Sequence, residues 1–141
     1  SRAFISTLAV GIMQRALDEA VAYAKQRKQF GKRLIDFEMV QQMLADMAIK
    51  TEAARVLVNN CMRQMDAGEM VRKDGAIVKT FVTDAMQEVV SNAVQVLGGY
   101  GYSEEYPVEK LMRDAKIFQI FEGSNQIQRM TIAKELDREY R

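Results

Sequence analysis

A single proline stands in 141 residues, at position 107, and apolar side chains recur at three- and four-residue spacing over most of the chain. That spacing is the signature of a helix face. With proline so sparse, little interrupts the pattern. Ala, Met, Leu, Glu, Lys and Gln are abundant, and all favour helix. The chain is therefore expected to be all-α, an up-and-down helical bundle of one domain. No strand pattern, internal repeat or low-complexity segment is visible.

The first helix is expected from about Ala3 to Arg27, with the stripe Ile5, Leu8, Ile12, Ala16, Ala20 and Ala24 and with Gly31 just past its end. A second starts near Asp36, an N-cap residue type, and ends at Gly68. Its stripe is Phe37, Val40, Met43 or Leu44, Met47, Thr51, Ala54, Val58, Cys61 and Met65. A third begins around Arg72 and stops at Gly98-Gly99, with Ile77, Phe81, Ala85, Val89, Ala93 and Val96 facing the core. A loop from Gly99 to Tyr106 leads to Pro107, at the first turn of a short helix through about Phe118. Residues Phe121 to Ser124 form a break, with Gly123 the hinge and Ser124 an N-cap type, before a last helix to about Glu139. The third helix also carries Val78, Val82, Met86, Val90 and Val94. So wide an apolar surface on so small a unit is expected to pack partly against another domain or subunit. The ten methionines read as core filler.

Composition removes several function classes. Lys and Arg number 20 against 19 Asp and Glu, with no basic run, so no nucleic-acid surface is indicated. No apolar stretch approaches the roughly 20 residues of a membrane span. Charged and polar residues from Arg15 onward break a secretory-signal pattern. The lone Cys61 fits a small core residue in a reducing compartment. There is no histidine, which excludes Ser–His and Cys–His nucleophiles and makes a metal site unexpected. Chemistry is left to carboxylates, hydroxyls, lysine, arginine or a cofactor.

Three segments could carry it. Glu122 lies in Ile-Phe-Glu-Gly-Ser-Asn, flanked by Ile120 and Phe121. Apolar neighbours would desolvate the carboxylate, raise its pKa and make it a better base near neutral pH. Gly123 would let a ligand approach the backbone. A surface glutamate in a helix–helix turn is the commoner reading of such a site on the residues alone. Gln95-Val-Leu-Gly-Gly-Tyr-Gly-Tyr102 is glycine-rich at a helix end. It lacks the Gly-Lys-Ser/Thr of a P-loop and the preceding strand of a dinucleotide fingerprint. Arg27-Lys-Gln-Phe-Gly31 either complements a helix dipole or offers an arginine fork to a phosphate beside an aromatic ring.

In combination these segments resemble the C-terminal domain of the acyl-CoA dehydrogenase family. The resemblance is carried by Ala16-Leu-Asp-Glu-Ala20, Arg27-Lys-Gln-Phe-Gly-Lys32, Gln41-Gln-Met-Leu-Ala-Asp-Met47 and Ala93-Val-Gln-Val-Leu-Gly-Gly-Tyr-Gly101. It continues through Tyr106-Pro-Val-Glu-Lys-Leu-Met-Arg-Asp114 and Ile120-Phe-Glu-Gly-Ser-Asn-Gln-Ile-Gln-Arg129.

The resemblance implies FAD-dependent oxidation of an acyl-CoA thioester to the trans-2-enoyl-CoA, a step of fatty acid β-oxidation. A carboxylate takes the α-proton while the β-hydrogen leaves as hydride to FAD, and electrons pass on to an electron-transferring flavoprotein. The thioester oxygen needs hydrogen-bond donors, which in the family are a flavin ribityl hydroxyl and the base's own amide. Glu122 matches the base of most branches. Other branches carry it at a position aligning with Ser1, which is not acidic. Arg27 and Phe30 match FAD contacts made across a subunit boundary, and Gln95, Gly98 and Gly99 match a segment receiving the neighbouring subunit's FAD. Ser124 and Gln126 match FAD contacts following the base. Arg2 and Gly123 match the substrate side, and no metal is implied. Family members place a helical domain and a β-domain before this one, so residues 1–141 are expected to be one domain of a larger homotetrameric or dimeric flavoenzyme, inactive in isolation. A bacterial cytoplasm or a mitochondrial matrix is the expected location. An acyl-CoA oxidase or glutaryl-CoA dehydrogenase on the same scaffold, or a non-catalytic helical oligomerisation domain, are the alternatives.

Overall fold

The computed structural model describes residues 2–69 and 72–140, with Arg2 described in its backbone alone. Expectations for Ser1 and the Arg2 side chain lie outside the described residues. Six helices form: α1 Arg2–Gln26, α2 Glu38–Asp66, α3 Arg72–Leu97, α4 Gly99–Tyr102, α5 Val108–Ala115 and α6 Asn125–Glu139. The Gln14–Arg55 hydrogen bond ties α1 to α2 and the 3.1 Å Lys50–Glu88 ion pair ties α2 to α3, and α1 also packs on α3, so the three long helices form a bundle. The final helix runs back along α3 toward its start, where Lys73 meets Glu139 at 2.7 Å.

The centre of the fold is α3, which touches all five other helices. Its broad apolar surface is largely covered by this chain itself: Val78, Val82, Met86, Val89, Val90 and Ala93 are all buried. Only part of the apolar surface of α3 is therefore left open to another domain or subunit. Packed against α1, α2, α4, α5 and α6, a single central helix buries most of its circumference. Ile77 and Phe81 remain exposed, as do Phe4, Met39, Ile49, Val56 and Met130 on the outer helices.

Small residues bring α1 close to α3. Ala9, Ala16, Ala20 and Ala24, with Met13, make the buried stripe of α1. Leu8, assigned to the core face by spacing, is 46% exposed. The larger Leu side chain misled the reading, because alanine carries little weight in an apolar pattern yet permits the closest helix approach. The α2 stripe from Leu44 to Cys61 is buried as expected, whereas Met65 faces outward.

Two local differences appear between α1 and α2. Lys28–Gln29 (β1) pairs antiparallel with Lys32–Arg33 (β2), a strand ladder too short to show a period-two pattern. Its two-residue loop, Phe30-Gly31, has φ of 54° and 81°, the left-handed pair that a tight hairpin turn of the primed type demands. Asp36 does not cap α2. It belongs to a 3₁₀ turn, Leu34–Asp36, and pairs with Arg33 at 3.1 Å, while Phe37 occupies the cap position without a side-chain bond. The loop expected from Gly99 to Tyr106 contains the short α4. A Cβ on Gly101 would lie 2.5 Å from the Val94 carbonyl, so glycine lets α4 fold back onto the end of α3.

Candidate catalytic turn and cofactor cleft

Glu122 sits on a turn built by its own sequence. After α5, residues Lys116–Gln119 tighten into a 3₁₀ helix, and the chain then turns through two left-handed residues, Glu122 at φ 57° and Gly123 at φ 82°. Ser124 starts α6 and accepts a hydrogen bond from the Ile127 amide, at 3.3 Å, as the expected N-cap. A left-handed conformation costs an L-residue such as Glu122 roughly 1–2 kcal/mol. It persists only where the surroundings hold it.

The surroundings here are polar and buried. Lys79 of α3 is wholly buried, and its ammonium donates to the Gly123 carbonyl at 3.0 Å and to Asn125 Oδ1 at 2.6 Å. Gln128 Nε2 donates to the carbonyls of Glu122 and Gly123, both at 3.1 Å. Asn125 Nδ2 in turn donates to Thr83 Oγ1 and Asp84 Oδ1, at 2.8 and 2.7 Å. Asp84 also accepts from Gln119 and Arg129, at 2.9 and 2.6 Å. Burial pushes the Asp84 carboxyl up, but these donors outweigh it and hold the group below its ordinary value. Gln87 donates to the Ala115 carbonyl at 2.8 Å and fixes the end of α5. Four side chains of α3 thus anchor the whole segment that bears Glu122.

The Glu122 carboxylate itself is exposed, and so are Ile120 and Phe121. The desolvated setting expected from the sequence is not built by the described residues. The aromatic ring of Phe121 turns instead to Phe118, 5.2 Å between centroids.

A second cluster lies at the far end of α3. Arg27, at the end of α1, places its guanidinium 5.6 Å from the centre of the Tyr100 ring. Tyr106 packs edge to face against Tyr100 and against Tyr23, perpendicular to Tyr23 at 5.9 Å, while Tyr23 and Tyr100 are tilted at 51°. Burial, against the opposing Arg27 charge, pushes the Tyr23 phenol above its ordinary value. Arg27, Gly98, Gly99 and Tyr100 line an open cleft of about 620 Å³. A Cβ added at Gly98 or Gly99 would touch nothing, so the backbone there is accessible to a ligand. Gln95 is exposed nearby on the last turn of α3. Phe30 is 92% exposed at the hairpin tip, edge-on to Phe37 at 6.4 Å.

The structure therefore brings Glu122, Gly123, Ser124 and Gln126 together at one turn, and Arg27, Phe30, Gln95, Gly98 and Gly99 at another place. The 19 residues of α3 from Lys79 to Leu97 separate the two by about 28 Å at 1.5 Å per residue.

The profile described as "Acyl-CoA dehydrogenase, C-terminal domain" matches residues 1–136. The chain belongs to the acyl-CoA dehydrogenase family. It is 45% identical over 129 residues to the caffeyl-CoA reductase–Etf complex subunit CarC of Acetobacterium woodii, covering 92% of this chain and 34% of that one. It is 45% identical over 139 residues to the cyclohexane-1-carbonyl-CoA dehydrogenase of Geobacter metallireducens, covering 99% and 37%. The butyryl-CoA dehydrogenase of Megasphaera elsdenii superposes with a TM-score of 0.95 at 47% identity, over 97% of this chain and 36% of that structure. The chain spans about a third of the length of the curated relatives it matches. No described helix is long and apolar enough to cross a membrane.

Lys79, Asp84, Asn125 and Gln128 are the residues that sequence reasoning missed. The signal was present: Lys79 falls three positions after Ala76 and four before Thr83, on a face where every neighbour is apolar or small. A charge on a core stripe needs partners.

Proposed function

We propose that this chain is the C-terminal helical-bundle domain of an FAD-dependent acyl-CoA dehydrogenase, in which Glu122 removes the α-proton as a thioester becomes a trans-2-enoyl-CoA. The observation that carries this reading is an exposed carboxylate on a left-handed turn that buried side chains hold from behind. A base that must meet substrate belongs at the surface of its own domain. The apolar cover that makes it basic then comes from what closes over it, here the acyl chain and the domains that precede this one in the parent.

FAD, when bound, supplies the acceptor for the β-hydrogen. The residues present fit such a group. The Arg27 fork, the accessible Gly98 and Gly99 backbone and the Tyr100 ring suit a phosphate-bearing dinucleotide. Gln95 borders that cleft, and the exposed Phe30 ring is available to stack. At the other cluster, Ser124 and Gln126 stand at the start of α6, where the helix dipole favours an anion. Residues about 28 Å apart serve most simply as halves of two sites. One subunit gives Glu122, Ser124 and Gln126, and its neighbour gives Arg27, Phe30, Gln95, Gly98 and Gly99. On this reading the parent is a homo-oligomer, a tetramer or a dimer, acting in fatty acid β-oxidation. The Arg2 and Gly123 positions border the CoA substrate. An electron-transferring flavoprotein is the acceptor, a partner class supported by the Etf complex named for the caffeyl-CoA relative. A cytoplasmic or matrix location follows that pathway.

That relative is a reductase, which favours one second reading, enoyl-CoA reduction by the same residues. A carboxylate that removes the α-proton in one direction returns it in the other, so Glu122 keeps its place. Anaerobic addition of straight-chain acyl-CoAs to the full-length parent tests the first reading. A flavin band that bleaches with one of them supports a dehydrogenase, and Glu122→Gln should abolish the bleaching. A flavin that no acyl-CoA reduces, but that enoyl-CoA reoxidises, would establish the reductase instead.

A further inference from the structure

Among the described residues Lys79 is the only charged side chain in the buried set. A buried ammonium is unfavourable unless hydrogen bonds compensate it. Two of its N–H groups donate to the Gly123 carbonyl and to Asn125 Oδ1, in the segment that follows Glu122. Gln128, also buried, reaches the carbonyls of Glu122 and Gly123 from the other side. Two residues on different helices thus converge on two consecutive carbonyls.

We propose that Lys79 and Gln128 form a buried clasp that aims the Glu122 carboxylate, acting as positioning residues that touch neither substrate nor cofactor. The inference rests on the reading of Glu122 as the base. The direction of the Glu122 side chain is set by its φ and ψ, and the two carbonyls the clasp holds are those that define ψ at Glu122 and Gly123. These hydrogen bonds hold both carbonyls in place, and once they are removed a left-handed glutamate relaxes toward ordinary φ. Such a rotation swings the carboxylate, and a displacement of about 1 Å at reacting atoms costs on the order of 100-fold in rate. The fit around Gly123 supports the tight geometry: a Cβ there would lie 2.6 Å from Gln128 Nε2.

The test uses the full-length FAD-loaded enzyme with Lys79→Met, which keeps the stem and removes the donors, and with Gln128→Met. Glu122→Gln is the control. Four quantities are read: kcat, KM for a straight-chain acyl-CoA that the parent oxidises, deuterium entry at Cα of that acyl-CoA in D2O, and bound FAD per chain. Both clasp variants should lose roughly 10- to 100-fold in kcat and in Cα exchange together, with KM and FAD content changed less than about twofold. A purely structural role would instead lower FAD content and melting temperature while the loaded fraction turned over normally, and that result overturns the clasp. If Lys79→Met does not fold, Gln128→Met decides alone. It removes a neutral amide whose Oε1 has no hydrogen-bond partner among the described residues, so it leaves no new buried polar atom on its own side chain. Retention of kcat and exchange in Gln128→Met then refutes the proposal. Retention of exchange in Glu122→Gln would refute the base assignment instead, so the two failures are distinguishable.

Discussion

Glycine is required at some positions of this chain by shape and at others by access, and substitution separates the two. Gly123 has φ 82° and a neighbouring amide 2.6 Å from where a Cβ would stand. Gly123→Ala should therefore lower stability by about 1–3 kcal/mol, seen as a lower urea midpoint. Gly99 has no such contact and no positive φ. Gly99→Ala should leave the midpoint within about 0.5 kcal/mol while weakening FAD retention by the full-length protein. Equal losses at both positions would mean that the turn is not as constrained as its geometry. Glu122, Gly123 and Ser124 were legible because a Glu-Gly-Ser break between apolar helices is visible locally. Lys79 was not, since its importance lies in a meeting of residues 44 positions apart, and Gln128 was not, since only the folded turn brings its amide onto the carbonyls of Glu122 and Gly123.

At the scale of the element, periodicity located α1, α2, α3 and α6 within a few residues, because long helices broadcast their period. It misplaced one position near the start of α1, where Leu8 outweighed Ala9, while Ile5 of the same stripe is buried. Leu8→Ala should cost under about 0.5 kcal/mol in this domain, whereas Met13→Ala, at a fully buried site, should cost about 2–5 kcal/mol. Denaturant midpoints of the two variants check this, and a costly Leu8→Ala would restore the expected stripe. The two-strand hairpin and the 3₁₀ turn escaped notice because neither is long enough to have a period.

The tie between α3 and α6 has its own pH signature. Asp84 is held below its ordinary pKa by Arg129, Asn125 and Gln119 against the opposing effect of burial. A depressed carboxyl contributes stability above its unfolded pKa, about 4, and that contribution fades as pH falls through the lower folded value. The melting temperature of the wild type should therefore exceed that of Asp84→Asn by a constant margin above about pH 5, and the margin should close below about pH 4. A margin that stayed constant to pH 2 would show that the carboxylate's charge is not what joins the helices.

The whole molecule turns on the distance between its two candidate clusters. One chain cannot easily offer Glu122 and Arg27 to a single FAD when about 28 Å of α3 lies between their turns. Two chains can, each giving one cluster to a shared site. Glu122→Gln should inactivate the full-length enzyme outright, and an Arg27→Ala variant should lose FAD affinity. Co-expression of the two variants then discriminates the arrangements. If each site draws Glu122 from one subunit and Arg27 from its neighbour, a mixed pair contains one site with both lesions and one with neither. Activity should return to roughly half of wild type per mixed dimer, a consequence of the twofold exchange of parts in a symmetric assembly. If each chain completed its own site, every site in the mixture would carry one lesion and activity would stay near that of the better single variant. Purifying the mixed species by two different affinity tags and titrating its flavin with acyl-CoA gives the count of reducible sites directly: one fully loaded site per dimer for the shared arrangement, and none beyond the residual loading of the Arg27→Ala variant for the self-contained one.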